Sequence, residues 1–144
     1  LRCVQNNDLH GEFEEYLNQT RHHVEVVQGV IEAFGLDPAT ETPGRSVVRH
    51  IGESLVSAME LALRAGPPGA AQLVAAECVA LAETKDHLNW ELIGECLSRV
   101  HGDQGTSLRS AHKEVEEQED EHLYHSSGWG RELWIESLGL HGPS

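Results

Sequence analysis

Basic side chains are scarce in this sequence: ten lysines and arginines stand against twenty-four aspartates and glutamates, a formal net charge of −14. A surface of that sign repels a phosphate backbone, so nucleic-acid binding through a basic footprint is excluded. Long apolar runs are missing as well, and nothing reads as a membrane-spanning helix or as a charged-then-apolar secretory signal. Runs of alternating or β-branched residues, which would announce strands, are absent. There is no glycine-rich phosphate loop, and no Ser-His-Asp or Cys-His arrangement that would supply a nucleophile. The three cysteines, Cys3, Cys78 and Cys96, are an odd number without a C-x-x-C pair. That usage predicts reduced thiols and a cytoplasmic protein.

Histidine is abundant instead, with ten in 144 residues. The length suits one domain with a sizeable core, taken as 1–144, with 9–125 as its centre and 126–144 as a C-terminal capping segment. Glycine and proline divide the chain into four helical blocks. The first runs from about Leu9 to Phe34 and ends at Gly35 and "GLDPATETPG". The second runs from about Arg45 to Ala65, stopped by "GPPG", and the third from near Ala70 to Val100, stopped by "HGDQG". The fourth starts near Thr106 and reaches His125, with a shorter helical piece expected beyond the "GWG" of residues 128–130. The pattern predicts an all-α helical bundle.

The stretch "EEQEDEHLYH" (116–125) poses the central question, because an acidic run is ordinarily a wet helix face. At 100° per residue, Leu108, Ala111, Val115, Glu119, His122, Ser126, Trp129 and Leu133 fall on one stripe of helix four. Glu116, Glu117, Asp120 and Glu121 point elsewhere, as solvated acids do. Glu119 and His122 therefore share the core face at Glu-x-x-His spacing, where an unpaired carboxylate costs several kcal/mol. Helix one predicts an apolar stripe of Phe13, Leu17, Thr20, Val24, Val27, Ile31 and Phe34, with His23 at its edge. His23 reads either as a core-edge imidazole or as a ligand. Helix three has an apolar arc (Val74, Cys78, Leu81, Leu88, Leu92, Cys96) and a second face of Ala76, Ala80, Gly94, Glu83 and His87. The second face is either solvated or the place where a bundle interior admits metal ligands while the apolar arc meets a partner subunit. Counting back from the turn puts His87 level with Glu121 and His122. Helix two, amphipathic through Val48, Ile51, Leu55 and Met59, reads as a packing or crossover element.

Carboxylates and imidazoles from several helices meeting inside a bundle form the donor set of a di-iron or di-manganese centre, with zinc also compatible. Such a centre reacts with O₂ or peroxide. The order of segments is similar to that of a known family. "FEEYLNQTRHHVEVVQGVIEAFG", a following short helix, "AAQLVAAECVALAETKDHLNWELIGECL" and the acidic last helix resemble bacterial ferritin-like stress proteins of the YciF type over residues 9–125. The resemblance implies a ferritin-like up-down four-helix bundle with a short crossover helix, a homodimer or higher homo-oligomer, and a role in iron or oxidative-stress handling with ferroxidase- or peroxidase-like activity. It also implies metal ligands near Glu83 and near Glu119 and His122, with His23 as the helix-one candidate; His87 would be an addition. The family's first core helix has no counterpart after Leu1, Thr20 stands where rubrerythrin-like enzymes carry Glu, and Ala80 replaces a further acid. The contrasting expectation is a metal-free helical dimer that serves as an interaction module.

Overall fold

A computed structural model of the chain describes residues 1–140. Four helices account for nearly all of it: α1 (Asn7–Ala33), α2 (Pro43–Ala65), α3 (Ala70–Cys96) and α4 (Gly102–Ser137). Local chemistry sets the starts. The Asn6 side chain accepts from the backbone N–H groups of Asp8 and Leu9, and Thr42 does the same for Arg45 ahead of a proline in the first turn of α2. These caps satisfy amide donors that a helix leaves orphaned at its N-terminus. Gly69 precedes α3 at φ +90°, and Gly102 opens α4 at φ +68°. Both conformations are cheap only without a Cβ.

α4 is the organising rod. It packs along α3 on one side and α1 on the other, while α2 packs on α3 alone. α4 runs antiparallel to both neighbours: Trp90 meets His112 and Glu77 meets Trp134 across the short α3–α4 connection, while His22 meets Glu114 and Glu12 meets Trp129 between α1 and α4. One apolar cluster joins Leu9, Phe13 and Tyr16 of α1 to Ala76 of α3 and Leu133 of α4. A second, at the other end, places Trp90 against Ala111 and Val115, with Val26 and Val30 of α1 beside it. The predicted α4 stripe is buried at every position except Trp129, which is partly buried, and the four flanking acids are exposed.

Three expectations change. α4 does not break at "GWG" but runs unbroken to Ser137. Two glycines each cost about 1 kcal/mol in a helix interior, but Trp129 and Leu133 pack on the α1 cluster and the Trp129 indole donates to Glu12, which holds the segment helical. Residues 126–137 are thus part of the bundle rather than a separate cap, and 141–144 lie outside the described residues. On α1 the buried face is Leu9, Phe13, Tyr16 and His23, rotated by roughly 35° from the apolar stripe at 100° per residue. Leu17, Val24 and Val27 of that stripe are exposed. On α3, where the sequence left two alternatives, the small-residue face turns inward: Ala76 and Trp90 are buried, and of the apolar arc Leu81, Leu88 and Leu92 are exposed while Cys78 is buried.

Two glycines of α4 provide a test. A Cβ at Gly128 would meet nothing within 4 Å, but at Gly105 it would lie 2.3 Å from the Val100 carbonyl oxygen. Gly128→Ala is expected to raise stability by about 0.5–1 kcal/mol through helix propensity. Gly105→Ala is expected to lower it by about 1–3 kcal/mol through the clash. Thermal unfolding followed by circular dichroism reads both; a loss of stability in Gly128→Ala would contradict a continuous α4.

Candidate metal centre

Where α1, α3 and α4 pass one another, five ionisable side chains converge. α4 supplies Glu119 (1% exposed) and His122 (0%), α1 supplies His23 (4%), and α3 supplies Glu83 and Asp86. Glu119 and His122 arrive together because three residues advance a helix by nearly one turn. His23 reaches them because α1 presents it beside Tyr16 on its buried face.

The hydrogen bonds fix which ring nitrogens carry protons. His122 Nε2–H donates to Gln19 Oε1 at 2.6 Å, which leaves Nδ1 with a free lone pair. That Nδ1 lies 3.6 Å from Glu83 Oε2 and 3.9 Å from Glu119 Oε1. His23 is engaged at both nitrogens: Nδ1–H donates to Glu119 Oε1 at 2.6 Å and Nε2–H to Gln118 Oε1 at 2.7 Å. Burial disfavours its charge, but the hydrogen bonds and the Glu119 carboxylate outweigh that and raise its pKa, in keeping with a ring that faces an acceptor at each nitrogen. The Tyr16 ring covers His122 at a centroid separation of 4.2 Å, and its hydroxyl donates to Glu12 at 2.7 Å.

The carboxylates respond in opposite directions. Burial pushes Asp86 up, and the neighbouring Glu119 charge pushes it further, to about 7. Burial acts on Glu119 in the same sense, but hydrogen bonds from His23 and from Asp86 in its acid form, with the charge of His23, hold it below the usual carboxylate range. Even so, the cluster is incompletely satisfied. His122 Nδ1 and Ser126 Oγ have no partner, and Glu119 Oε2 has none apart from the proton that Asp86 shares with this carboxylate. Buried polar atoms without partners are uncommon, and a lone pair facing two carboxylates is repulsive unless a proton or a cation lies between them.

One donor atom from each of Glu83, Glu119 and His122 lies within 4.8 Å of the others. Donors on opposite sides of an ion with bonds of about 2.0–2.2 Å stand roughly 4 Å apart, so a small contraction would bring these three atoms within reach of one ion. Two carboxylates and an imidazole suit iron, manganese or zinc. Gln19 and His23 hold the ligands as outer partners do at metal sites, by fixing a tautomer and orienting a carboxylate.

Of the five residues singled out from sequence, Glu83, Glu119 and His122 form this cluster, and His23 joins it as the hydrogen-bond partner of Glu119. His87 does not. It stands at the level counted from the turn but on the outer side, 3.0 Å from Asp120 and 3.4 Å from Glu91. Asp86 takes the inward position. Both Asp86 and His87 flank Glu83 on the wheel, and only the side on which α4 lies chooses between them. Tyr16 and Gln19 were not singled out from sequence; their signal is the α1 face shared with His23 at i, i+3, i+4 and i+7 spacing. Comparison with known proteins finds no matching family, no matching curated protein and no matching solved structure.

The metal-free protein has a pH signature. The Asp86 pKa is raised in the folded state from 3.8 to about 7, so the proton it keeps favours folding at low pH. That contribution is lost as pH rises from about 4 through 7. The raised His23 contribution likewise is full below its unfolded value of 6.5 and fades as pH climbs through its folded value. Asp86→Asn removes the first effect. Denaturant unfolding in chelator is expected to show the variant more stable than the parent at pH 8, by on the order of 1–3 kcal/mol, with the gap closing towards pH 4.

Proposed function

We propose that this chain is a metal-binding helical protein of ferritin-like kind that holds iron or manganese at Glu83, Glu119 and His122 and serves in iron or peroxide handling. The observation that carries this reading is His122 Nδ1, buried without a hydrogen-bond partner and standing 3.6 Å from Glu83 Oε2 and 3.9 Å from Glu119 Oε1. Asp86, the further carboxylate beside Glu119, would be available to a second ion, while His23 stays the hydrogen-bond partner of Glu119. A bound iron or manganese would supply one-electron chemistry towards O₂ or peroxide, giving ferroxidase- or peroxidase-like activity.

The chain's own residues do the rest. Gln19 keeps the His122 proton on Nε2, so Nδ1 is the donor. His23 orients Glu119 and offsets part of its charge. Asp86 releases its proton when a cation takes over the compensation, which makes metal uptake stronger at higher pH. Tyr16 lies over His122 and limits the approach of water. A metal-free helical dimer serving as an interaction module is the second reading, and what favours it is the number of large aliphatic side chains left exposed on α1, α2 and α3.

Elemental analysis of purified protein, before and after aerobic Fe(II) addition, separates the two. One to two equivalents of iron or manganese per chain are expected, falling at least tenfold in Glu119→Gln and His122→Ala, while His87→Ala keeps its metal. No metal above background, or equal loading in all three variants, would reject the metal reading in favour of the interaction module.

A further inference from the structure

Beside the charged cluster lies a cleft of about 880 Å³ with three walls. α1 supplies one, α3 supplies another through Asp86 and Trp90, and the connector between α1 and α2 supplies the third. The cleft joins a cavity of about 460 Å³ lined only by apolar side chains; Val27, Ile31, Leu36 and Trp90 line both. Pockets of roughly 300–1,000 Å³ are of the size that encloses a small organic molecule. Along α1 the polar and apolar ends are separated. Thr20 and His23 line only the cleft, and Ile31 lies roughly 16 Å beyond Thr20 at 1.5 Å per residue.

The connector is tied down. Arg45 donates from Nη1 to the carbonyl oxygens of Pro38 and Thr40. The Thr40 amide donates to the Asp37 carbonyl at 3.0 Å, and the Asp37 carboxylate accepts from the Ala39 amide at 2.9 Å. A helix or a second chain meets this connector first, whereas a small molecule has room behind it. Charge narrows the class further. The ionisable side chains that line the cleft are His23, Asp37, Arg45 and Asp86. His23 faces an acceptor at each nitrogen, Asp86 shares a proton with Glu119, and Asp37 and Arg45 are spent on the connector. None of the four is left to pair with a charged ligand, and burying an unpaired charge is costly. The net charge of −14 repels an anion besides. Thr20 and Gln28 add an uncharged hydroxyl and an uncharged amide to the same lining.

We propose that this cleft binds a neutral aromatic alcohol or phenol, with its ring among Val27, Ile31 and Trp90 and its hydroxyl at Thr20. An apolar body removes those three side chains from water, and a flat ring suits the indole of Trp90. One hydroxyl both gives and accepts a hydrogen bond without bringing charge, which is what Thr20 and Gln28 can answer. Apolar area at one end and a few polar groups at the other is how small-molecule sites divide affinity from orientation. The hydroxyl end lies beside His23 and Asp86, the two groups that flank Glu119. Binding requires no metal, so the site stands apart from the metal reading.

The probe is 1-naphthol, titrated into the full chain in chelator at about pH 7 and followed by isothermal calorimetry. Saturable one-to-one binding is expected, at least tenfold tighter than that of 1-naphthoate or 1-naphthylmethylammonium, which carry the same ring with a charge. Val27→Glu, at an exposed position (37%), should keep the parent's helical circular dichroism and weaken 1-naphthol at least tenfold. Leu81→Glu, on the outer face of α3, should bind it as the parent does. Thr20→Val removes the hydroxyl at nearly constant shape and should weaken binding at least threefold. Absence of saturable binding, or equal affinity for the charged analogues, would overturn the proposal. So would equal losses in Val27→Glu and Leu81→Glu, which would mean adsorption to apolar surface at large. An unchanged affinity in Thr20→Val would overturn the placement of the hydroxyl.

Discussion

Glu119 is a carboxylate removed from water near the middle of the longest helix, and its charge constrains everything packed around it. An isolated ion there is prohibitively unfavourable, so each neighbouring helix brings something to offset it. α1 brings the ring of His23, α3 brings Asp86 in a form that can share a proton, and α4 brings His122 one turn along. What remains uncompensated is the bare lone pair of His122 Nδ1, 3.6 Å from Glu83 Oε2 and 3.9 Å from Glu119 Oε1.

Protons and cations compete for that position. Without a metal, Asp86 keeps its proton to a pH near 7, at the expense of its ordinary acidity. A divalent ion between Glu83, Glu119 and His122 would remove the need for it. The same compensation problem thus links the folding energetics of the metal-free chain to the chemistry proposed for it. It also accounts for the polar outer partners: Gln19 and Gln118 each accept from a histidine and so fix which nitrogens face inward.

The apolar surface has a different logic. Three helices suffice to bury Glu119, since α1, α3 and α4 surround it, and α2 adds only a contact at the far end of α3. Leu17, Val24 and Val27 on α1 and Leu81, Leu88 and Leu92 on α3 are left looking away from the core.

Periodicity by itself determined the helical content, the four blocks and the inward stripe of α4, because a 3.6-residue repeat is a local property of the chain. Glu119 and His122 were legible for the same reason: they interrupt an apolar stripe at a spacing that keeps them on it. Glu83 and His23 were legible as candidates and no more, since each lies where two faces of its helix meet. Which face turned inward was a tertiary decision. α1 buries Tyr16 and His23 rather than Leu17 and Val24, and α3 buries Ala76 and Trp90 rather than Leu88 and Leu92, because the polar cluster has to close on Glu119 and small side chains let α3 approach α4. The exchange of His87 for Asp86 follows from that rotation. So does the unbroken α4, whose glycines are carried by contacts from Trp129 and Leu133 to a helix more than a hundred residues away in sequence.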